Sequence, residues 1–334
     1  MITKRTTLIV GAGASHEYGL PLGLVLKKSI MGALDFTAPV PGDPQLIQAL
    51  QLELPQVAGS LAEAGTEFSR RAFAYNSIDD ALHAFSHDEK IVEIGKMAIA
   101  SQILAGERNS KLADRGGEGV ARISRIAGWL SRFFSLAVGG LKRTEIEGAF
   151  SNVKIINFNY DRCIEYYLYN AIVASGVSEE TAKKTVVDLD SNRMIRPYGS
   201  LGPLPWQGKG GTDFGFYNRN IHLLSRNLRT FTETLDNNVT AGISTFLETS
   251  DVVIFLGFGF APPNMRIMQV RENVYGGQDV FATACKIDSD NFAHLREQIR
   301  RSLRKLDVSG IELVDLTCTE MLDNLAPAIG FSVS

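Results

Sequence analysis

The sequence predicts a mainly parallel, doubly wound α/β fold, Rossmann-like, with a helical insertion. Three observations carry this. An apolar strand pattern passes into a glycine-rich turn within a dozen residues of the start, strand-then-helix patterns recur in the second half, and a long run of helical periodicity separates the two. With 334 residues and 45% hydrophobic content, the chain can bury a sizeable core in one large domain or two ordinary ones.

Taken in order, Thr6 to Val10 is β-branched and apolar, as a buried strand requires, Gly11 to Ser15 reads as a turn, and Leu20 to Leu34 has helix-compatible spacing. Residues 37 to 60 carry Pro39, Pro41, Pro44 and Pro55, so partly irregular structure is expected there. From 61 to 148 the chain is rich in Ala, Leu, Ser and Arg at helical spacing, with "GERNSKLADRGGEG" (106 to 119) as an exposed loop between helices. The sheet pattern resumes with a strand at Val153 to Phe158 and a helix at Asp161 to Leu168. Val252 to Leu256 is the next strand, left through a turn at Gly257 to Phe260, and "DVFATACKI" supplies another. A last helix runs from about Asn291 to Leu306 with Asp288 or Asp290 as N-cap, and "GIELVDL" is the closing strand. The expected division is an α/β domain over 1–40 and 150–334 and a helical insertion over 41–149.

A net charge of −3 and a pI near 6.0 give no electrostatic reason to expect a nucleic-acid or membrane partner. Arg296, Arg300, Arg301, Arg304 and Lys305 on the last helix read as a solvated basic face. Cys163, Cys285 and Cys318 are odd in number and far apart, which builds neither a disulfide framework nor a zinc site, so no metal and a reducing cytoplasm are expected. No run approaches the ~20 apolar residues of a membrane span, and the first twenty lack the pattern of a signal peptide, so a soluble protein is expected.

The opening loop half meets the dinucleotide fingerprint GxGxxG: Gly11 and Gly13 fit, but His16 stands at the third glycine. Asp35, at the distance of a ribose-binding acid, ends a helical pattern instead of a strand. No Walker lysine follows, Gly199-Ser200-Leu201-Gly202 is not a nucleophile elbow, and His16-Glu17 lacks the second histidine of a zinc protease. What remains is a backbone free of Cβ atoms before a helix, which lets N–H groups approach a phosphate; a tight turn with no ligand is the alternative.

Four stretches stand at the ends of predicted strands, where ligands of open α/β sheets lie. They are Gly11-Ala12-Gly13-Ala14-Ser15 with Gly19-Leu20-Pro21, Asn157-Phe158-Asn159-Tyr160-Asp161, Tyr198-Gly199-Ser200-Leu201-Gly202, and Gly257-Phe258-Gly259-Phe260. In this order they resemble the sirtuin family, and more closely the sirtuin-like proteins of bacterial anti-phage defence. There, GAGxS, a TxNYD-type segment, HGS and a late G-[FY]-[GS]-F turn surround NAD. Ser77-Ile78-Asp79-Asp80 also resembles a segment of that subgroup's helical part.

The resemblance implies that Asn159 and Asp161 lie near the nicotinamide ribose, that Gly11, Ala12, Gly13 and Ser15 cradle the pyrophosphate, and that Gly257 and Gly259 approach the adenosine half. Pro21, Gly199 and Ser200 complete the implied NAD contacts. Cleavage of NAD needs mainly a pocket that stabilises an oxocarbenium-like ribose and positions water, because cationic nicotinamide is already a good leaving group. A carboxamide at Asn159 suits that task, and Asp161 suits orientation of the ribose; the bland alternatives are a strand-end asparagine bonding its own backbone and a helix N-cap. Tyr198 stands where the family has histidine, and a phenol with a pKa near 10 is a poor base at neutral pH. His16 and His83 are the candidate substitutes. Lysine deacylation is disfavoured by the missing four-cysteine zinc module and by Leu22-Gly23-Leu24 in place of Asp-Phe-Arg. The expected function is an NAD hydrolase that acts as a defence effector and assembles as a homo-oligomer or with another defence protein. A partner or signal would activate it, with the helical insertion as the expected contact. The alternative is a regulatory subunit that binds NAD or ADP-ribose without turnover.

Overall fold

A computed structural model describes residues 1–38, 42–114, 116–216, 220–234, 237–270, 277–305 and 308–329. Its strands are β1 (Thr6–Val10), β2 (Val153–Asn157), β3 (Met194–Ile195), β4 (Val252–Leu256), β5 (Asp279–Thr283) and β6 (Ile311–Val314). They form one six-stranded sheet in the order β3-β2-β1-β4-β5-β6, with every neighbouring pair parallel. Parallel neighbours require crossover connections, and the helices that make them cover both faces, so the fold is α/β and Rossmann-like.

After β1 come α1 (Ala12–His16), α2 (Gly23–Leu34), α3 (Pro44–Glu53), α4 (Ala58–Arg71), α5 (Ile78–Ala84), α6 (Glu89–Asn109), α7 (Val120–Ile123) and α8 (Trp129–Val138). Between β2 and β4 lie α9 (Cys163–Ala174), α10 (Glu179–Arg193), α11 (Ile221–Ser225), α12 (Phe231–Thr234) and α13 (Asn237–Glu248). Then follow α14 (Pro262–Ile267), α15 (Phe292–Leu303) and α16 (Cys318–Leu325). Alternate strand residues enter opposite cores. Ile9, Ile156, Val253 and Phe255 pack with residues of α2 to α6, whereas Leu8, Val10, Ile155, Ile254 and Leu256 pack with residues of α8, α9, α10 and α16. Burial on both faces is why these strands read as unbroken apolar runs.

Several local differences have physical causes. The predicted turn after β1 is the short helix α1, with Gly11 as its extended N-cap. A full helix, α3, occupies the proline-rich stretch: Pro44 sits in its first turn, where a missing N–H costs nothing, and Asp43 caps it by accepting from the Gln45 amide. Pro39, Pro41 and Leu306 lie outside the described residues. Gly106 to Asn109 belong to α6 instead of a loop. Asp288 caps a 3₁₀ turn at Ser289–Asn291 that leads into α15.

The strand order reverses between β1 and β4, and their ends are level: Val10 pairs with both Asn157 and Leu256. The ladder continues past the strands, with Gly11 N–H donating to Leu256 O at 3.0 Å, Phe158 N–H to Val10 O at 2.9 Å and Gly13 N–H to Gly257 O at 2.9 Å. At this point the two loops touch backbone to backbone. A Cβ at Gly11 would lie 2.7 Å from the Gly257 oxygen, and one at Gly257, whose φ is +57°, would lie 2.1 Å from the Ala14 nitrogen. Replacing Gly257 with alanine should therefore cost roughly 2–4 kcal/mol in urea unfolding. Gly259→Ala, with nothing within 4 Å of its added Cβ, should stay within about 1 kcal/mol of wild type.

Candidate functional site

At the carboxyl end of β2 the Asn157 side chain accepts from the Asn159 amide at 3.0 Å, a local turn that aims Asn159 back across β1. The Asn159 carboxamide donates to Gly11 O at 2.9 Å and to Ser15 Oγ at 2.8 Å. The Ser15 hydroxyl also bonds the Asp161 carboxyl, which accepts from the Cys163 amide at 3.1 Å as α9 begins. Gly11, Ser15, Asn159 and Asp161 are all buried and form one chain of hydrogen bonds. Both amide hydrogens of Asn159 are used, so its remaining capacity is the acceptor Oδ1. Burial raises the Asp161 carboxyl above its ordinary value, against the hydrogen bonds that favour the anion.

Tyr198 is buried, with its hydroxyl donating to Asn264 Oδ1 at 2.7 Å and its ring against Phe158 and Tyr160. Burial, followed by the charges of Asp79 and Asp80, holds the phenol protonated far above neutral pH, so Tyr198 is a donor and not a base. Tyr160 in turn donates to Asp79 in the first turn of α5, whose carboxyl is raised by burial. Phe258 packs on Phe158 and on Phe260, and Phe260 holds a φ of +50°, a conformation rare outside glycine. The turn that leaves β4 is thus fixed by aromatic packing.

Gly199 forms an antiparallel bridge with Leu228, and at its φ of +74° a Cβ would lie 2.0 Å from the Asn227 oxygen. Leu201 N–H donates to Tyr160 O at 3.3 Å, tying this loop to the Asn159 stretch, and Ser200 Oγ accepts from Gly202 N–H. Ala12 and Gly13 are half-buried beside the interlocked loops. Pro21 lies close to Gly106 of α6, directly after Leu20, whose N–H donates to Ser15 O at 3.3 Å, and Gly259 is exposed. His16 bonds the Leu20 carbonyl and His83 packs edge-on against Phe231. Asp35 ends α2 and accepts from Thr37. On α15, Arg300 and Arg301 pair with Glu297, Arg296 bonds Ile311 O, and Lys305 just beyond it is buried on Gln278 O.

Two clusters of charged side chains lie outside the residues the sequence points to. Glu107 and Arg162, both fully buried, meet through Nε at 3.1 Å and Nη2 at 2.6 Å, and the same guanidinium caps the Thr212 carbonyl at 2.6 Å. They join α6 to the start of α9. Glu165, in the first turn of α9, bonds Arg196 Nη2 at 2.5 Å, while Arg196 Nη1 bonds Asp190. These side chains line a cavity of about 320 Å³ with Ser200, Gln207 and Arg229. No spacing in the sequence points to it, because Glu165 and Arg196 are 31 residues apart and meet only in the fold. Burial pushes the Glu165 carboxyl up to about 7, with Arg196 pulling the other way.

No protein-family model matches this chain, and a search of curated proteins gives no match. Among the described residues, no helix is long and apolar enough to cross a membrane.

The Glu165 shift has a definite sign. Between its ordinary value of 4.5 and its folded value of about 7, the native state binds more protons than the unfolded chain, so this contribution to stability falls as pH rises through that window. Glutamine does not titrate. Urea unfolding should therefore show the stability of wild type relative to Glu165→Gln falling from about pH 5 to about pH 7 and levelling off above it.

Proposed function

We propose that this chain hydrolyses the N-glycosidic bond of NAD, releasing nicotinamide and ADP-ribose, over the carboxyl ends of β1, β2 and β4. One observation carries the reading: the buried Asn159 carboxamide, held by Gly11 and Ser15, reaches from the end of β2 to the end of β1, which borders the reversal of strand order between β1 and β4. Ligands of doubly wound sheets bind outside such a reversal. The departing nicotinamide takes the bond electrons and loses its positive charge, while the ribose carbon becomes oxocarbenium-like before water adds to it and sheds its proton to solvent. Asn159 Oδ1, the free acceptor, suits a ribose hydroxyl or the attacking water, and Asp161 holds Ser15 and hence the carboxamide in place.

The four-motif resemblance to sirtuin-like defence proteins supports NAD as substrate and an effector role in anti-phage defence in the cytoplasm. An unregulated NAD hydrolase would harm its own cell, so the activity is held silent, alone or in an oligomer, until a partner or an infection-derived signal releases it. A second reading is favoured by Tyr198. This phenol is committed to Asn264 and stays protonated where the resembling family has histidine, which suits a subunit that binds NAD or ADP-ribose intact.

The test is nicotinamide release from NAD by the purified protein, with and without the products of its neighbouring genes. The hydrolase reading predicts release under an activated condition, reduced on the order of 100-fold in Asn159→Ala at equal folded fraction. NAD bound but recovered intact under every condition would support the sensor. Equal release by both proteins would overturn the role given to Asn159.

A further inference from the structure

We propose that the cavity between α9, the end of β3 and the Gly199 loop is a binding pocket for the vicinal hydroxyls of a ribose. The walls name the ligand by what they leave open. Arg196 spends its two terminal nitrogens on Glu165 and Asp190, and Gln207 donates to Asp190 Oδ2 at 3.0 Å. Glu165 Oε2 and Arg196 Nε, both buried, have no hydrogen-bond partner among the described residues. The Glu165 side chain is only 3% exposed, so its open oxygen pays the full desolvation penalty unless a donor reaches it through the cavity.

Above about pH 7, where Glu165 is ionised, its carboxylate only accepts and a guanidinium only donates, so the complement must offer a donor and an acceptor side by side. Two acids, Glu165 and Asp190, face two guanidiniums, Arg196 and Arg229, which leaves the lining without net charge and favours neither an anion nor a cation. The lining contains no aromatic ring on which a base would stack. A neutral, hydroxylated ring meets these conditions: each hydroxyl of a vicinal diol both donates and accepts, one to Glu165 Oε2 and one from Arg196 Nε. Acidic side chains near the carboxyl ends of such sheets take ribose hydroxyls by the same chemistry. The cavity, about 320 Å³, has room for a pentose and is lined in part by Ser200, in the loop bonded to Tyr160. Glu165 lies in the first turn of α9, four residues after Asp161 on the same chain segment. Assignment of this ribose to a dinucleotide rests on the NAD reading above; the pocket itself does not.

The experiment is saturation-transfer NMR on the whole chain with methyl β-D-ribofuranoside and its 2-deoxy counterpart, followed by competition with ADP-ribose. The riboside should bind, and both the deoxy sugar with wild type and the riboside with Glu165→Gln should bind at least about tenfold more weakly. Should Glu165→Gln fail to fold, the two sugars on the wild-type protein decide the matter alone. Displacement by ADP-ribose would place the diol within a nucleotide. Riboside binding that ADP-ribose leaves untouched would support the pocket and separate it from the dinucleotide site. Equal binding of both sugars, or of neither, would overturn the proposal whatever the outcome of the nicotinamide assay.

Discussion

The contact between the backbones that leave β1 and β4 is the constraint on which the rest depends. Neither loop can carry a Cβ at the point of touch, and once Gly11, Gly13 and Gly257 interlock, the Gly11 carbonyl and Ser15 are presented to β2. Asn159 then closes the third side by donating to both. A hydrogen-bonded row so built across three strands is rigid because each member is held by a different segment. Removing one leaves a buried polar group unpaired, at a cost of about 1–3 kcal/mol.

Around this row the polar interior is organised by buried charge. The Glu107 carboxylate receives the Arg162 guanidinium, the Arg162 amide and the Gly215 amide, so a helix from the first half of the chain is bonded to the segment that carries Asn159 and Asp161. Asp79 reaches the same segment through Tyr160. The helices between β1 and β2 are consequently part of the site's support, and α3 to α6 share a core with β1 and β4. In the proposed hydrolase, a partner that shifts α5 or α6 would act on the Asn159 segment through these two contacts.

The strands that are buried on both faces were legible because burial demands unbroken apolar runs, and β1 and β4 have the bounds their sequence predicts. β3 was marked only by the Tyr198 stretch that follows it, since Met194 and Ile195 come directly after α10 and stand between Arg193 and Arg196, too short and too polar in context to show a period. Pro44 concealed α3 because a proline reads as a breaker unless its place in the first turn is known. The glycines were legible as positions of close approach, but what approaches Gly11 and Gly13 in the structure is the Gly257 backbone. Asn159 was legible as a polar residue at a strand end; its partners, 148 and 144 residues away, were not. Glu165 and Arg196 were hidden for the same reason, since only the folded chain brings α9 and β3 together.

The central claim is spatial: the labile bond of NAD lies against the Asn159 carboxamide where β1, β2 and β4 end. A crystal structure of the protein with bound NAD tests it most directly. The account predicts the nicotinamide ribose within hydrogen-bonding distance of Asn159 Oδ1. A dinucleotide seated on another face, with Asn159 still turned only to Gly11 and Ser15, would contradict it.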